Sequence, residues 1–209
     1  MKLYDFTLAP NPRRARIFIA EKGLDVDLIQ VDLRNGENLS DEYKAINPHL
    51  TVPVLQLDDG TLLRDNLSIA SYLEATHPTP PLLGSSPIET ALVWEWNSRI
   101  VDTGMTGIAE VFRNSNPAYA KRGLTGPSAH AAIPALVERG RARAADFFAM
   151  LNGHLQGRDY IVGDAFSMAD ITALCTADFA GFVKVGIADE QENLKRWYAS
   201  VSNRPTAKA

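Results

Sequence analysis

Along the first third of the chain the hydrophobic pattern changes period several times. Residues 2–6 alternate between apolar and polar positions, the two-residue period of a half-buried strand. Ala9-Pro10-Asn11-Pro12 interrupts it, and residues 13–22 then follow a helical pattern closed by Gly23. Asn11 is placed to cap this helix, with Pro12 at the first helical position, where a missing N–H costs nothing. Residues 27–32 read as a second strand, Asn35-Gly36-Glu37-Asn38 as a turn, and residues 41–46 as a short helix before Asn47-Pro48. Residues 52–57 and 61–63 read as strands joined by Asp58-Asp59-Gly60, a hairpin signal. Asn66 is expected to cap a helix over 66–77, with Ile69, Ala70, Tyr72 and Leu73 on its inner side. The first crossover is long enough to join parallel strands, whereas the hairpin must be antiparallel. A mixed four-stranded sheet with helices on its faces follows.

That βαβαββα order suggests a thioredoxin-like α/β domain, although other small α/β folds use it too. The run His77-Pro78-Thr79-Pro80-Pro81-Leu82-Leu83-Gly84-Ser85-Ser86-Pro87 is dense in proline, which stiffens a segment into an extended connector. Beyond it the pattern is helical throughout, with long helices expected over 88–114, 128–154, 168–182 and 190–202. The organisation is therefore a sheet domain over 1–77, a linker over 78–87 and an all-α domain over 88–209.

Composition narrows the function classes. Of 209 residues, 45% are hydrophobic and 22% charged, ordinary values for a packed globular protein. A net charge of -4 leaves no electrostatic footprint for nucleic acid, and the arginine clusters at 13–16 and 139–143 make no one-sided helical stripe. No secretory leader pattern opens the chain, and no uncharged apolar stretch is long enough to span a bilayer. The single cysteine, Cys175, excludes an intramolecular disulfide and fits a reducing, cytoplasmic setting. Its apolar neighbours Ile171, Ala173, Leu174 and Ala177 suit a buried structural thiol. The four histidines have no metal-ligand spacing, so no metal is expected.

Three segments then carry a more specific signal. Asn47-Pro48-His49-Leu50-Thr51-Val52-Pro53-Val54-Leu55 resembles the glutathione transferase segment that carries a cis-proline. Leu63-Arg64-Asp65-Asn66-Leu67-Ser68-Ile69-Ala70-Ser71-Tyr72-Leu73 resembles the acid-plus-serine motif that follows it. Gly163-Asp164-Ala165-Phe166-Ser167-Met168-Ala169-Asp170 is similar to the helix-capping box of that family's helical domain. Their order and spacing match over nearly the whole chain. Ser167 and Asp170 read as structural, with Phe166 and Ile171 placed as a hydrophobic staple.

The resemblance implies a glutathione site and glutathione as co-substrate. It makes the Val52–Pro53 bond cis and gives the Val52 main chain to the cysteinyl amide of glutathione. Asp65 would take the γ-glutamyl ammonium, and N–H groups at Asn66 its carboxylate. Asn66 stands where the family usually has serine, and helix capping is its alternative role. Thr51 and Asn38 fall near the glycyl end, where other members place cationic side chains that this chain lacks. Phe112, Arg113, Asn114 and Tyr119 fall where the family faces a hydrophobic electrophile toward the glutathione sulfur. Asp102 lies on the long helix from which some members reach across to the γ-glutamyl ammonium bound by their partner, and the resemblance implies a two-fold homodimer through helices near 66–76 and 88–113.

The catalytic group departs from the usual pattern. The family activates the thiol with Tyr, Ser or Cys after the first strand, but the matching positions here hold Ala9 and Pro10. Thr7 is the loop's hydroxyl, and Tyr4 lies inside the strand. The stretch resembles a bacterial and fungal subgroup without that hydroxyl, leaving Asn11 or a held water as candidates. The expected activity is transfer of glutathione to electrophiles in detoxification, with peroxide reduction as the nearest variant. The alternative is a non-catalytic glutathione-binding module for regulation or assembly.

Overall fold

The computed structural model describes residues 1–209. The chain forms two compact units: Met1–Pro80 with Thr125–Ala129 and Ala209, and Pro81–Leu124 with His130–Lys208. The first contains β1 (Lys2–Asp5), α1 (Pro10–Glu21), β2 (Asp27–Gln30), α2 (Asp41–Ile46), β3 (Val54–Gln56), β4 (Leu62–Leu63) and α3 (Asn66–Thr76). Its sheet order is β2-β1-β3-β4. β1 and β2 are parallel, while β1–β3 and β3–β4 are antiparallel. This is the thioredoxin-like domain, followed by an all-helical unit.

Leu3, Val54 and Leu55 from the sheet, Ile17 and Phe18 from α1, and Ile69 and Leu73 from α3 are almost fully buried. Two ion pairs sit within this core. Arg16 meets Asp5 with both side chains nearly out of solvent. The wholly buried Lys22 side chain reaches Glu74 at 2.6 Å, tying the end of α1 to α3. Such pairs add little net stability, but losing one partner strands a charge and costs about 3–5 kcal/mol.

Two helix starts differ from expectation. The first helix begins at Pro10, with Ala9 as an N-cap that makes no side-chain bond. The opening N–H groups of a helix have no internal acceptor, so Pro10 and Pro12 both fit its first turn. Asn11 is therefore the second helical residue and not the cap. Likewise, Asp65 caps α3: its side chain accepts the Ser68 N–H at 2.8 Å, and Asn66 is the first helical residue. The third strand starts at Val54 instead of 52 because Pro53 has no N–H for the ladder.

The second unit holds α4 (Pro87–Arg99), a π-helical segment (Ile100–Met105), α5 (Thr106–Ser115), α6 (Leu136–His154), α7 (Met168–Phe182) and α8 (Glu192–Ser202). The helix expected over 88–114 is thus one helical run with a π turn inside it. The helix expected from 128 begins only at Leu136. Residues 130–133 are instead bound to the loop after α5: His130 O accepts from Gly123 N at 2.7 Å, and Ala132 N donates to Ala120 O at 2.9 Å. Pro134 also disfavours a helical conformation at Ile133.

Glycines set the distance between α5 and α6. A Cβ on Gly140 would lie 2.6 Å from the Gly107 carbonyl oxygen. Asp170, in the first turn of α7, is fully buried and accepts from Ile161 N, Ser167 N, Ser167 Oγ and Trp197 Nε1 at 2.8–3.2 Å. Burial pushes its carboxyl up to about 6, against the pull of those bonds. The side chain is a structural anchor for the segment before α7. Cys175 is buried in α7.

Candidate functional site

The sheet register gathers three segments at one end of the first unit. Tyr4 lies opposite Val54 and Leu55 opposite Leu63. The loop leaving β1, the Val52–Pro53 peptide entering β3 and the Asp65–Asn66 corner leaving β4 therefore share one end of the sheet.

The Val52–Pro53 bond is cis. The Val52 side chain packs with Val31 and Tyr43. Its N–H and C=O make no hydrogen bond within the chain. The preceding residues are held tightly. Thr51 O accepts from the Tyr43 hydroxyl and Asn47 Nδ2, both at 2.7 Å, and Thr51 Oγ1 accepts from Asn47 Nδ2 at 3.1 Å. Asn38 Nδ2 donates to Leu50 O at 2.8 Å, and Leu50 sits at φ 57°. Asn38 and Thr51 thus brace the loop that presents Val52. Tyr43 and the fully buried Asn47 do the same work and were missed in the sequence, where only the Asn-Pro turn hinted at Asn47.

At the head of α3 the Asp65 side chain is exposed. Its Oδ1 holds the Ser68 N–H, while Oδ2 has no partner in the chain. The Asn66 and Leu67 N–H groups open the helix and have no internal acceptor, which favours an anion. The Asn66 side chain is buried, and its Oδ1 has no hydrogen-bond partner. An acid for a cation, a helix start for an anion and unpaired main chain for a peptide lie at this end.

In the β1–α1 loop, Thr7 is fully engaged. Its N–H and hydroxyl donate to Gln30 Oε1 at 3.2 and 3.0 Å, and its carbonyl accepts from Arg16 Nη2 at 3.0 Å. Asn11 is exposed, and its Oδ1 accepts from Arg14 Nη1 at 3.1 Å. That bond fixes the amide and leaves the Nδ2 donors outward.

In the second unit, Phe112 stands with its ring centroid 5.2 Å from Tyr119 and 5.4 Å from Phe179. The Arg113 guanidinium lies over the Tyr119 ring at 4.7 Å, and its Nη1 donates to Arg122 O at 3.2 Å. Both ends of the Asn114 amide are engaged, Nδ2 with Glu110 O and Oδ1 with Ile133 N at 2.7 Å each. Asn114 therefore holds the following loop, while Phe112, Arg113, Tyr119 and Phe179 form an aromatic wall with one cation. No group of three or more metal-ligating side chains gathers anywhere, and no helix is long and apolar enough to cross a membrane.

Residues 3–81 match the glutathione S-transferase N-terminal domain, and residues 120–205 match the C-terminal domain. Glutathione S-transferase 2 of Saccharomyces cerevisiae is 33% identical over 210 residues, covering 100% of this chain and 88% of that protein. Elongation factor 1-gamma 2 of Oryza sativa is 28% identical over 95% of this chain, which spans only 45% of that longer protein. The crystal structure of a glutathione S-transferase domain-containing protein from Marinobacter aquaeolei superposes with a TM-score of 0.89, 35% identity and 99% coverage of both chains. With both domain families matched and a transferase relative aligned over the whole of this chain, it belongs to the glutathione S-transferase family.

Proposed function

We propose that the chain binds glutathione at this end of its sheet and activates the thiol for attack on hydrophobic electrophiles. The observation that carries this reading is the unpaired Val52 main chain beside the exposed acid of Asp65. Val52 N–H and C=O pair with the cysteinyl amide, Asp65 Oδ2 takes the γ-glutamyl ammonium, and the Asn66 and Leu67 N–H groups take its carboxylate. The buried Asn66 amide adds a polar contact there. Asn38 and Thr51 act on the glycyl end through the loop they brace.

The chemistry follows. Lowering a free thiol from about 8.5 to about 6.5 requires about 2.7 kcal/mol of preference for the thiolate. The α1 dipole supplies about 0.3–1 kcal/mol. A hydrogen bond from Asn11 Nδ2, or from a water it holds, supplies about 1.5–3 kcal/mol more. The sulfur then attacks the electrophilic carbon, a C–S bond forms, and the leaving group departs with its electron pair. The thiol proton passes to solvent. With a hydroperoxide, two glutathione thiols become a disulfide as the O–O bond breaks to give an alcohol and water.

The reading includes a cytoplasmic, detoxifying homodimer. Leu67 on α3, and Ile88 and Leu92 on α4, expose apolar side chains in the single chain. Sedimentation at micromolar concentration showing only monomer refutes the dimer. The second reading, a glutathione-binding module without turnover, is favoured by the alignment with elongation factor 1-gamma 2. Turnover of 1-chloro-2,4-dinitrobenzene, an epoxide and cumene hydroperoxide, measured beside calorimetric glutathione binding, separates the two. Binding without turnover selects the second, and no binding refutes both.

A further inference from the structure

The aromatic wall of the second unit contains an unusual charge. Arg113 is half-buried, and no carboxylate is ion-paired with it. Glu110, one turn earlier on α5, faces away to Arg139 at 2.7 Å and Arg143 at 2.9 Å. The charged and ionisable neighbours acting on Arg113 are Arg122 and the Tyr119 phenol, so a second cation stands nearby and no acid does. Burial lowers the guanidinium's hold on its proton, which is the direction expected of a desolvated charge without a counter-ion. A guanidinium has five N–H donors, and the chain accepts from this one only at Arg122 O. The ring of Tyr119 covers one side of it.

A desolvated, oriented fork beside three aromatic rings has the chemistry of a receptor for a flat anion. Phe112, Tyr119 and Phe179 offer ring faces and edges to an aromatic body. The free N–H groups of Arg113 offer paired donors to a carboxylate. We propose that Arg113 makes this chain selective for aromatic electrophiles that carry a carboxylate. The proposal rests on the transferase reading, in which this wall receives the electrophile. In the step itself, glutathione sulfur bonds to the ring carbon that carries the leaving group. That group departs with its electron pair, the thiol proton goes to solvent, and the carboxylate stays paired with Arg113 throughout.

The test uses two aryl chlorides, neutral 1-chloro-2,4-dinitrobenzene and anionic 4-chloro-3-nitrobenzoate, with the wild-type chain, Arg113→Gln and Arg113→Lys. A lost charge-assisted pair should lower kcat/KM for the benzoate at least about tenfold in Arg113→Gln. The neutral substrate meets the same wall and should lose several-fold less than the benzoate, and Arg113→Lys, which keeps the charge without the fork, should fall between. Equal losses on both substrates, or none on the benzoate, overturn the proposal. Calorimetry of the two products, S-(4-carboxy-2-nitrophenyl)glutathione and S-(2,4-dinitrophenyl)glutathione, reads the same preference without turnover. Preferential binding of the carboxylated conjugate, lost in Arg113→Gln, supports the anion site even if neither chloride reacts, an outcome that sinks the transferase reading alone. Equal wild-type affinity for the two conjugates overturns the anion site, and this comparison holds if the glutamine variant fails to fold.

Discussion

Asp65 caps a helix with one oxygen and is proposed to bind glutathione with the other, and the two roles are separable. Oδ1 caps α3 through the Ser68 N–H at 2.8 Å, whereas Oδ2 is the oxygen proposed to meet the ammonium of glutathione. Asp65→Asn keeps a side-chain oxygen for the cap, since asparagine caps as well as aspartate, and removes only the charge. The loss of favourable dipole interaction should cost about 0.3–1 kcal/mol of stability. Losing the charge-assisted contact should cost about 1.5–3 kcal/mol of binding, a Kd for glutathione roughly 10- to 150-fold weaker. Asp65→Ala should lose the same affinity and about 1 kcal/mol more stability, because the cap goes too. Isothermal calorimetry with glutathione reads the first quantity, and urea unfolding reads the second. Wild-type affinity in Asp65→Asn would show that the carboxylate is a helix cap and nothing else. The site would then need another partner for the ammonium.

Thr7→Ala should keep most activity, because its hydroxyl is already donated to Gln30, whereas Asn11→Ala should raise the bound thiol's pKa. Thiolate absorbance titrated in the glutathione complex checks both, and the reverse pattern would restore a hydroxyl mechanism. Asp170 is held at about 6 against an ordinary 3.8, so folding favours its protonated form. Its contribution should lower stability as pH rises through that window and level off above it, a slope that the non-titrating Asp170→Asn loses. Urea unfolding in steps across the window reads the difference, and parallel curves for the two chains would contradict it. Gly140→Ala should destabilise by about 1–3 kcal/mol by forcing α5 from α6. On the same helix, Gly153, where an added Cβ meets nothing within 4 Å, should gain up to about 1 kcal/mol as alanine. Thermal melts that rank these two glycine variants the other way would show that the helices separate freely.

Periodicity and turn chemistry made the strand order and the helical character of the second part of the chain legible. Local signals did worse at helix starts, because several residues there compete for one role. Asn11 and Asn66 both look like caps in isolation. A proline tolerated in each of two first-turn positions moved the first helix forward, and an equally good capping aspartate one residue earlier took over at α3. The helix expected from 128 failed because His130 and Ala132 bond back to Gly123 and Ala120. Hydrophobic patterning carries no trace of such pairing. The site's main-chain element was legible only through resemblance, since nothing about Val52 as a side chain marks it. The residues that brace it, Tyr43 and Asn47, act through carbonyls that a sequence does not display.

The π-helical turn at 100–105 sets the phase of everything after it. The Thr106 N–H reaches back five residues to Val101 O, so the run carries one residue more than an uninterrupted α-helix of the same path would hold. One residue is worth about 100° of rotation about the helix axis. A single-residue deletion within 100–105 would therefore turn the α5 side chains by about that angle relative to α4 without altering any of them. Phe112 and Arg113 would face elsewhere. Where the wall of the second unit points is thus decided by the count of residues upstream of it, and an insertion or deletion there would alter the proposed electrophile site as forcefully as a substitution in the wall.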